Sequence, residues 1–219
     1  MKKLVAAISL MIMIAFSIMA VPIAMANTIS AGDYVKLIGY NPLASAGIMT
    51  YAVSHDSLNT AFTYDTFCIQ DNVYISPGPW YRVAAVTGTV GYYDTAIAGA
   101  GPLNGAVDYL FYQYKSGAYI SSLTDSDEAN LQKLLWSLLG SGPSFTSSGT
   151  PWAADLANYY ADSNLQHSWG TKVINIVTSL SGGYDRQNQL YNQIPEPATM
   201  LLLGLGLVGL AGVRRKIKK

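Results

Sequence analysis

Few residues of this chain have the types and spacing that chemistry demands. The first is Cys68, in the stretch TYDTFCIQDN (63–72), and it is the only cysteine of the 219 residues. A single sulfur has three uses: an intermolecular bond, a reactive thiol, or a small buried hydrophobe packed behind its aromatic neighbour Phe67. Other groups that commonly carry catalysis are sparse. His55 and His167 stand far apart in the chain without neighbours at metal-ligand spacing, so each reads as a surface or capping residue and no metal is expected. The acidic run DSDE (125–128) has a calcium-like composition, but acidic residues at a helix start explain it equally well. There is no glycine-rich phosphate loop, no Gly-x-Ser-x-Gly elbow, and no acid–base pair that stands out among the scattered aspartates. The chain reads as a non-enzyme without a cofactor.

The elements that must position Cys68 are strands. DYVKLIGY (33–40), AGIMTYAVS (46–54), AFTYDTFCI (61–69) and WYRVAAVTGTV (80–90) are rich in β-branched and aromatic residues, with Asn-Pro, Asp-Ser and Ser-Pro-Gly-Pro between them. Period-2 alternation puts Cys68 on the face of Phe62, Tyr64 and Thr66. The period then changes. Val107, Leu110, Phe111 and Tyr114 make a helical stripe that ends at Gly117. A second helix starts at the caps Thr124, Asp125 and Ser126, carries Leu131, Leu134, Leu135 and Leu138, and stops at Gly140. A third is expected with Thr150 as its cap and Pro151 at its first position. Strand signals return in Val173–Thr178 and in a second extended stretch ending at Ile194, a terminal hairpin. Strands, helices, then strands imply an α+β, predominantly β domain: a β-sandwich or barrel with a helical insertion.

Both ends read as sorting devices. Lys2 and Lys3 precede an uncharged, mostly apolar run from Leu4 to Ala20, and Ala24-Met25-Ala26 offers a small-x-small cleavage site, so residues 1–26 form a secretory signal peptide and its helix. At the other end residues 198–213 carry no charge, and the basic stop Arg214, Arg215, Lys216 follows at once. These 16 residues fall short of the roughly 20 that span a bilayer comfortably, and four glycines weaken the segment further. It suits a transient inner-membrane anchor better than a lasting one. Between the ends, residues 27–194 hold six Lys/Arg and twelve acidic side chains, a net charge of 6 − 12 = −6, which argues against nucleic acid as a partner.

Two resemblances give these features a context. The sequence Ile194-Pro195-Glu196-Pro197-Ala198-Thr199, followed by a short Leu/Gly helix and RRKIKK, closely resembles the PEP-CTERM sorting signal, which covers about residues 195–219. The resemblance implies recognition by an exosortase, a membrane cysteine protease. It would cut near Pro195, Glu196 and Pro197 and deliver the body to the cell surface or the extracellular matrix, usually in biofilm-forming species that make exopolysaccharide. With signal peptidase, exosortase is thus an expected processing partner. The body, residues 27–194, is similar to the bacterial thioester domains, in which a cysteine after an aromatic residue on a strand joins a glutamine of a Gln-x-x-aliphatic-Trp motif on a helix. The matching residues are Phe67, Cys68, Gln132, Leu135 and Trp136.

That resemblance implies a defined chemistry. The Cys68 thiolate attacks the Gln132 carboxamide, ammonia leaves, and an acyl group stays on sulfur until a surface amine or a hydroxyl takes it. The result is one covalent capture event, suited to an adhesin-like module, rather than turnover. The alternative is a structural or exopolysaccharide-binding matrix protein that holds sugars on its tyrosines and on Trp80, Trp152 and Trp169.

Overall fold

Alternating β-branched and aromatic residues pair into sheets when one face of each strand can be buried. In the computed structural model, which describes residues 28–40, 47–91, 99–117, 123–178 and 186–192, they do so throughout the first half. The strands are β1 (Tyr34–Tyr40), β2 (Met49–Ser54), β3 (Phe62–Thr66), β4 (Tyr81–Thr87), β5 (Thr89–Val90), β6 (Gly101–Pro102), β7 (Lys172–Val177) and β8 (Gln189–Tyr191). Between β6 and β7 lie α1 (Gly105–Lys115), α2 (Asp125–Leu139) and α3 (Trp152–Ala161). The protein is therefore a mixed α and β structure with antiparallel strand pairing, its helices grouped in one block of the chain. The signal peptide and the sorting signal, residues 1–26 and 195–219, lie outside the described residues, as does the expected strand end at Ile194. Among the described residues no helix is long and apolar enough to cross a membrane.

Six strands form one sheet in the order β3-β2-β1-β4-β7-β8, and β5 pairs with β6 in a separate ribbon. The stretch 80–90, expected as one strand, divides at Gly88, where Thr87 Oγ1 accepts from Thr89 N at 3.1 Å. The turn stops the ladder there and sends Thr89 and Val90 to pair with Gly101 and Pro102. Strand β1 carries an extra residue, Ile38, between its pairs Leu37–Tyr51 and Gly39–Thr50. Ile38, in the bulge, is half exposed, while Val35 and Leu37 before it are buried. Strand β7, buried from Val173 to Val177, lies between β4 and β8 and has little access to water on either face.

Local chemistry sets the helix ends. In α1 the Asn104 side chain accepts from Ala106 N at 2.8 Å, and the stripe Val107, Leu110, Phe111, Tyr114 is buried as expected. In α2, Thr124 and Asp127 form a reciprocal capping box and Gly140, at φ 68°, closes the helix in the left-handed conformation. The third helix departs from expectation. Pro151 itself is the cap residue, without a side-chain hydrogen bond, and the Thr150 hydroxyl turns back to donate to Ser147 O. Its first residue, Trp152, is fully buried and donates its indole N–H to Asp127 O at 3.1 Å, anchoring α3 on the start of α2. Trp152 is thus a core residue and is withdrawn from the sugar-binding surface proposed for it.

The main apolar cluster among the described residues joins strands and helices: Val35, Tyr51, Val83, Ile174 and Leu190 from the sheet, with Phe111, Leu131, Leu135 and Trp152 from the helical block. The buried Asp108 of α1 ties that block to the sheet, accepting from Trp169 N at 2.8 Å and Thr171 N at 2.9 Å immediately before β7.

Candidate functional site: a cysteine and a glutamine across a strand–helix seam

Beyond the last residue of β3 the chain runs on extended through Phe67, Cys68 and Ile69 and meets β8. Leu190 N donates to Phe67 O at 3.1 Å and Ile69 N donates to Asn188 O at 3.0 Å, with Cys68 directly opposite Gln189. In an antiparallel ladder that pattern makes Cys68 and Gln189 a non-hydrogen-bonded pair, whose side chains stand close while its backbone N–H and C=O point away from the partner strand. Buried backbone groups need partners. Those of Cys68 find both on one side chain of α2: Cys68 N donates to Gln132 Oε1 at 3.0 Å, and Gln132 Nε2 donates to Cys68 O. The glutamine amide stands where a further strand would stand.

The same geometry brings the sulfur to the amide. Cys68 Sγ lies 3.3 Å from Gln132 Oε1, although the residues are 64 positions apart. The thiol donates to that oxygen, and with a C=O bond of about 1.23 Å the carboxamide carbon is within about 4.5 Å of the sulfur. Both residues are completely buried.

Helix α2 can supply this because its stripes divide the labour. Leu131, Leu134 and Leu135 enter the main core, while Ala129, Gln132 and Trp136, at i, i+3 and i+7, present a second stripe to Cys68. Ala129, Trp136 and Cys68 form a small apolar cluster of their own, with Met49 packed against it. The seam is pinned at the end of the helix, where Ser141 N donates to Trp136 O at 3.0 Å and Ser141 Oγ donates to Ile69 O at 3.0 Å. Phe67 points the other way, edge-on to Tyr114 with ring centroids 5.0 Å apart. It therefore anchors the strand to α1 instead of covering the sulfur.

Burial pushes the Cys68 thiol well above its ordinary range. The Trp136 indole and the Cys68 backbone N–H work against that rise, and the Asp71 carboxylate adds to it. The free thiol is therefore held protonated and shielded. The Cys68 N–H aimed at Gln132 Oε1 has the placement of an oxyanion-hole donor, since negative charge would collect on that oxygen if sulfur added to the carbonyl.

Sequence reasoning named Cys68, Gln132 and Trp136, and the fold brings these three together. It did not find Gln70, Gln187, Asn188 and Gln189, a set of buried amides around the Cys68 segment. Gln70 Oε1 accepts from Asn188 N at 2.9 Å and Gln187 Nε2 donates to Gln70 O at 3.0 Å, so these side chains latch β8 onto the cysteine strand. Only the glutamine two residues after Cys68 hinted at this, because the rest depends on a pairing more than a hundred residues away in the chain. His55 contacts Asp33 at 2.9 Å and His167 contacts Asn164 O. Among the described residues no cluster of ligand residues could hold a metal.

Outside the described body, the tail carries the decisive comparison. Residues 193–216 match the PEP-CTERM protein-sorting motif. The match takes in Pro195, Glu196 and Pro197 and the basic residues Arg214, Arg215 and Lys216. A PEP-CTERM motif marks an exported, cell-surface protein that an exosortase processes. No curated protein and no solved structure matches the chain.

Proposed function

We propose that this PEP-CTERM protein is an adhesin-like surface module that attaches covalently through a Cys68–Gln132 thioester. The observation that carries the reading is the fit of one amide to one cysteine, with sulfur 3.3 Å from Oε1 and the amide held by both backbone groups of the same residue. The reaction balances: sulfur adds to the carboxamide carbon, the C–N bond breaks, and the thiol proton leaves with the amine as ammonia. Full burial then keeps water from the acyl group until a surface amine displaces the sulfur. In the same reading the sheet is barrel-like, closed by the backbone bonds between residues 67–69 and β8. Signal peptidase would free Asn27, and exosortase would cut near Pro195 to Pro197 after the apolar segment has paused in the inner membrane.

Intact-mass measurement of the exported protein tests this. The expected mass is lower by one ammonia, the deficit is absent from Cys68→Ala and Gln132→Ala, and wild type gains methylamine. A full-mass protein whose Cys68 alkylates once it is unfolded refutes the thioester.

A second reading, polysaccharide binding without covalent chemistry, has its own observation. Tyr112, Tyr159, Tyr160, His167 and Trp169 form a chain of ring contacts through the buried Tyr109, with Tyr112 and Trp169 4.7 Å apart and Tyr160 59% exposed. Trp80 is instead covered by the Lys36 ammonium, 4.7 Å from its ring centre. Matrix glycan retained by Cys68→Ala as well as by wild type, and lost on Trp169→Ala, would favour this reading.

A further inference from the structure

We infer that Gln189 positions the nucleophile that opens the thioester, its carboxamide oxygen accepting an N–H of an incoming primary amine; the inference rests on the thioester reading above. Gln189 is the direct cross-strand neighbour of Cys68 in a close, non-hydrogen-bonded pair, so the two side chains leave the sheet on the same face about 5 Å apart at Cβ. Its Nε2 donates to Gln187 O at 2.8 Å, which fixes the orientation of the amide. Its Oε1 is then left buried without a partner in a residue only 1% exposed. A buried acceptor without a donor is costly to keep in a fold. Gln132 does not serve it: its Nε2 donates to Cys68 O and makes no bond to Gln189. On the same cluster the buried Trp136 indole N–H favours negative charge on the sulfur. The sulfur thus has an indole N–H acting on it and, on the residue directly opposite, an amide acceptor without a partner.

Aminolysis needs both. The amine nitrogen adds to the acyl carbon, the C–S bond breaks, and one amine hydrogen passes to the departing sulfur, restoring the Cys68 thiol and leaving an amide on the Gln132 side chain. Cys68 N–H holds the acyl oxygen during the step. A primary amine brings two hydrogens, one for the sulfur and one for Gln189 Oε1. A secondary amine or an alcohol brings one, which the sulfur takes, so Gln189 selects for primary amines such as a lysine side chain.

The test compares wild type, Gln189→Met, which keeps length but has no acceptor, and Gln189→Glu, which keeps one. Each exported protein is weighed and then treated with methylamine or dimethylamine. Gln189→Met is expected to keep the one-ammonia deficit and to lose about tenfold in its methylamine rate, the loss of one hydrogen bond, with its dimethylamine rate unchanged. Gln189→Glu keeps the methylamine rate. Equal losses with both amines, or no loss with either, overturn the inference while leaving the thioester standing. A deficit present in wild type and absent from Gln189→Met makes the residue purely structural and also overturns it. Wild type of full mass removes the thioester and this inference together.

Discussion

Replacing Cys68 by alanine separates a packed thiol from a covalent bond. If the sulfur only packs, Cys68→Ala removes one small buried group and costs about 1 kcal/mol, because both backbone hydrogen bonds to Gln132 survive the substitution. If the sulfur is bonded to Gln132, the substitution also opens a loop of 64 residues, and the chain-entropy relation for a cross-link of that length adds about 4 kcal/mol. The two cases thus differ by a factor of about five, well outside the error of urea unfolding. Methylamine supplies an independent route to the same state, since it opens the cross-link without any substitution. Treated wild type is therefore expected to lose about 4 kcal/mol, and treated Cys68→Ala nothing. The assay is equilibrium urea unfolding of the exported body, with intact mass taken on the same samples. A cost near 1 kcal/mol for Cys68→Ala, with wild type unaffected by methylamine, would refute the cross-link. Gln132→Ala should be worse than Cys68→Ala in either case, because it leaves the buried N–H and C=O of Cys68 unpaired, at about 1–3 kcal/mol each.

Three other outcomes are expected. Gly140→Ala, at the left-handed cap of α2 with φ 68°, should lower stability by about 1 kcal/mol in the same unfolding assay, and the absence of nearby atoms leaves backbone strain as the only cause. Asp56 accepts backbone N–H groups of Asn59 and Leu58, which hold its carboxyl well below the ordinary range. A depressed folded value stabilises fully above the unfolded one and less as pH falls, so the difference in thermal midpoint between wild type and Asp56→Ala should shrink between about pH 5 and pH 2. In cells with the exosortase, replacing Pro195, Glu196 and Pro197 by alanine should keep the longer precursor in the membrane fraction; unchanged delivery to the surface would show that the motif is not the recognised element.

Helices and strands were legible where the signal is local. The Val107, Leu110, Phe111, Tyr114 stripe and the Thr124 cap act within a few residues, so period and composition suffice to place them, although the same reading offered Asp125 and Ser126 as caps and did not find the return bond from Asp127. Thr150 misled for a similar local reason: it is a good cap by residue type, but its hydroxyl is used by the turn before the helix. Trp152 and Trp169 have the same side chain, yet one is sealed in the core and the other is part of the ring chain at the surface. Residue type carries no record of which side of a helix the sheet will cover.

The sequence by itself determined the sorting signal, because an exosortase reads that motif as a short contiguous string. It also nominated Cys68 and Gln132 as partners. Only the tertiary structure decided that they meet, and how. The outward backbone groups of Cys68 exist because its strand pairs with β8, whose residues lie more than a hundred positions further on. Gln132 reaches them because Ser141, Leu131 and Leu135 seat α2 against that strand at one rotation. Gln189 was invisible until the register opposed it to Cys68, since cross-strand neighbours are set by pairing and pairing by the whole sheet.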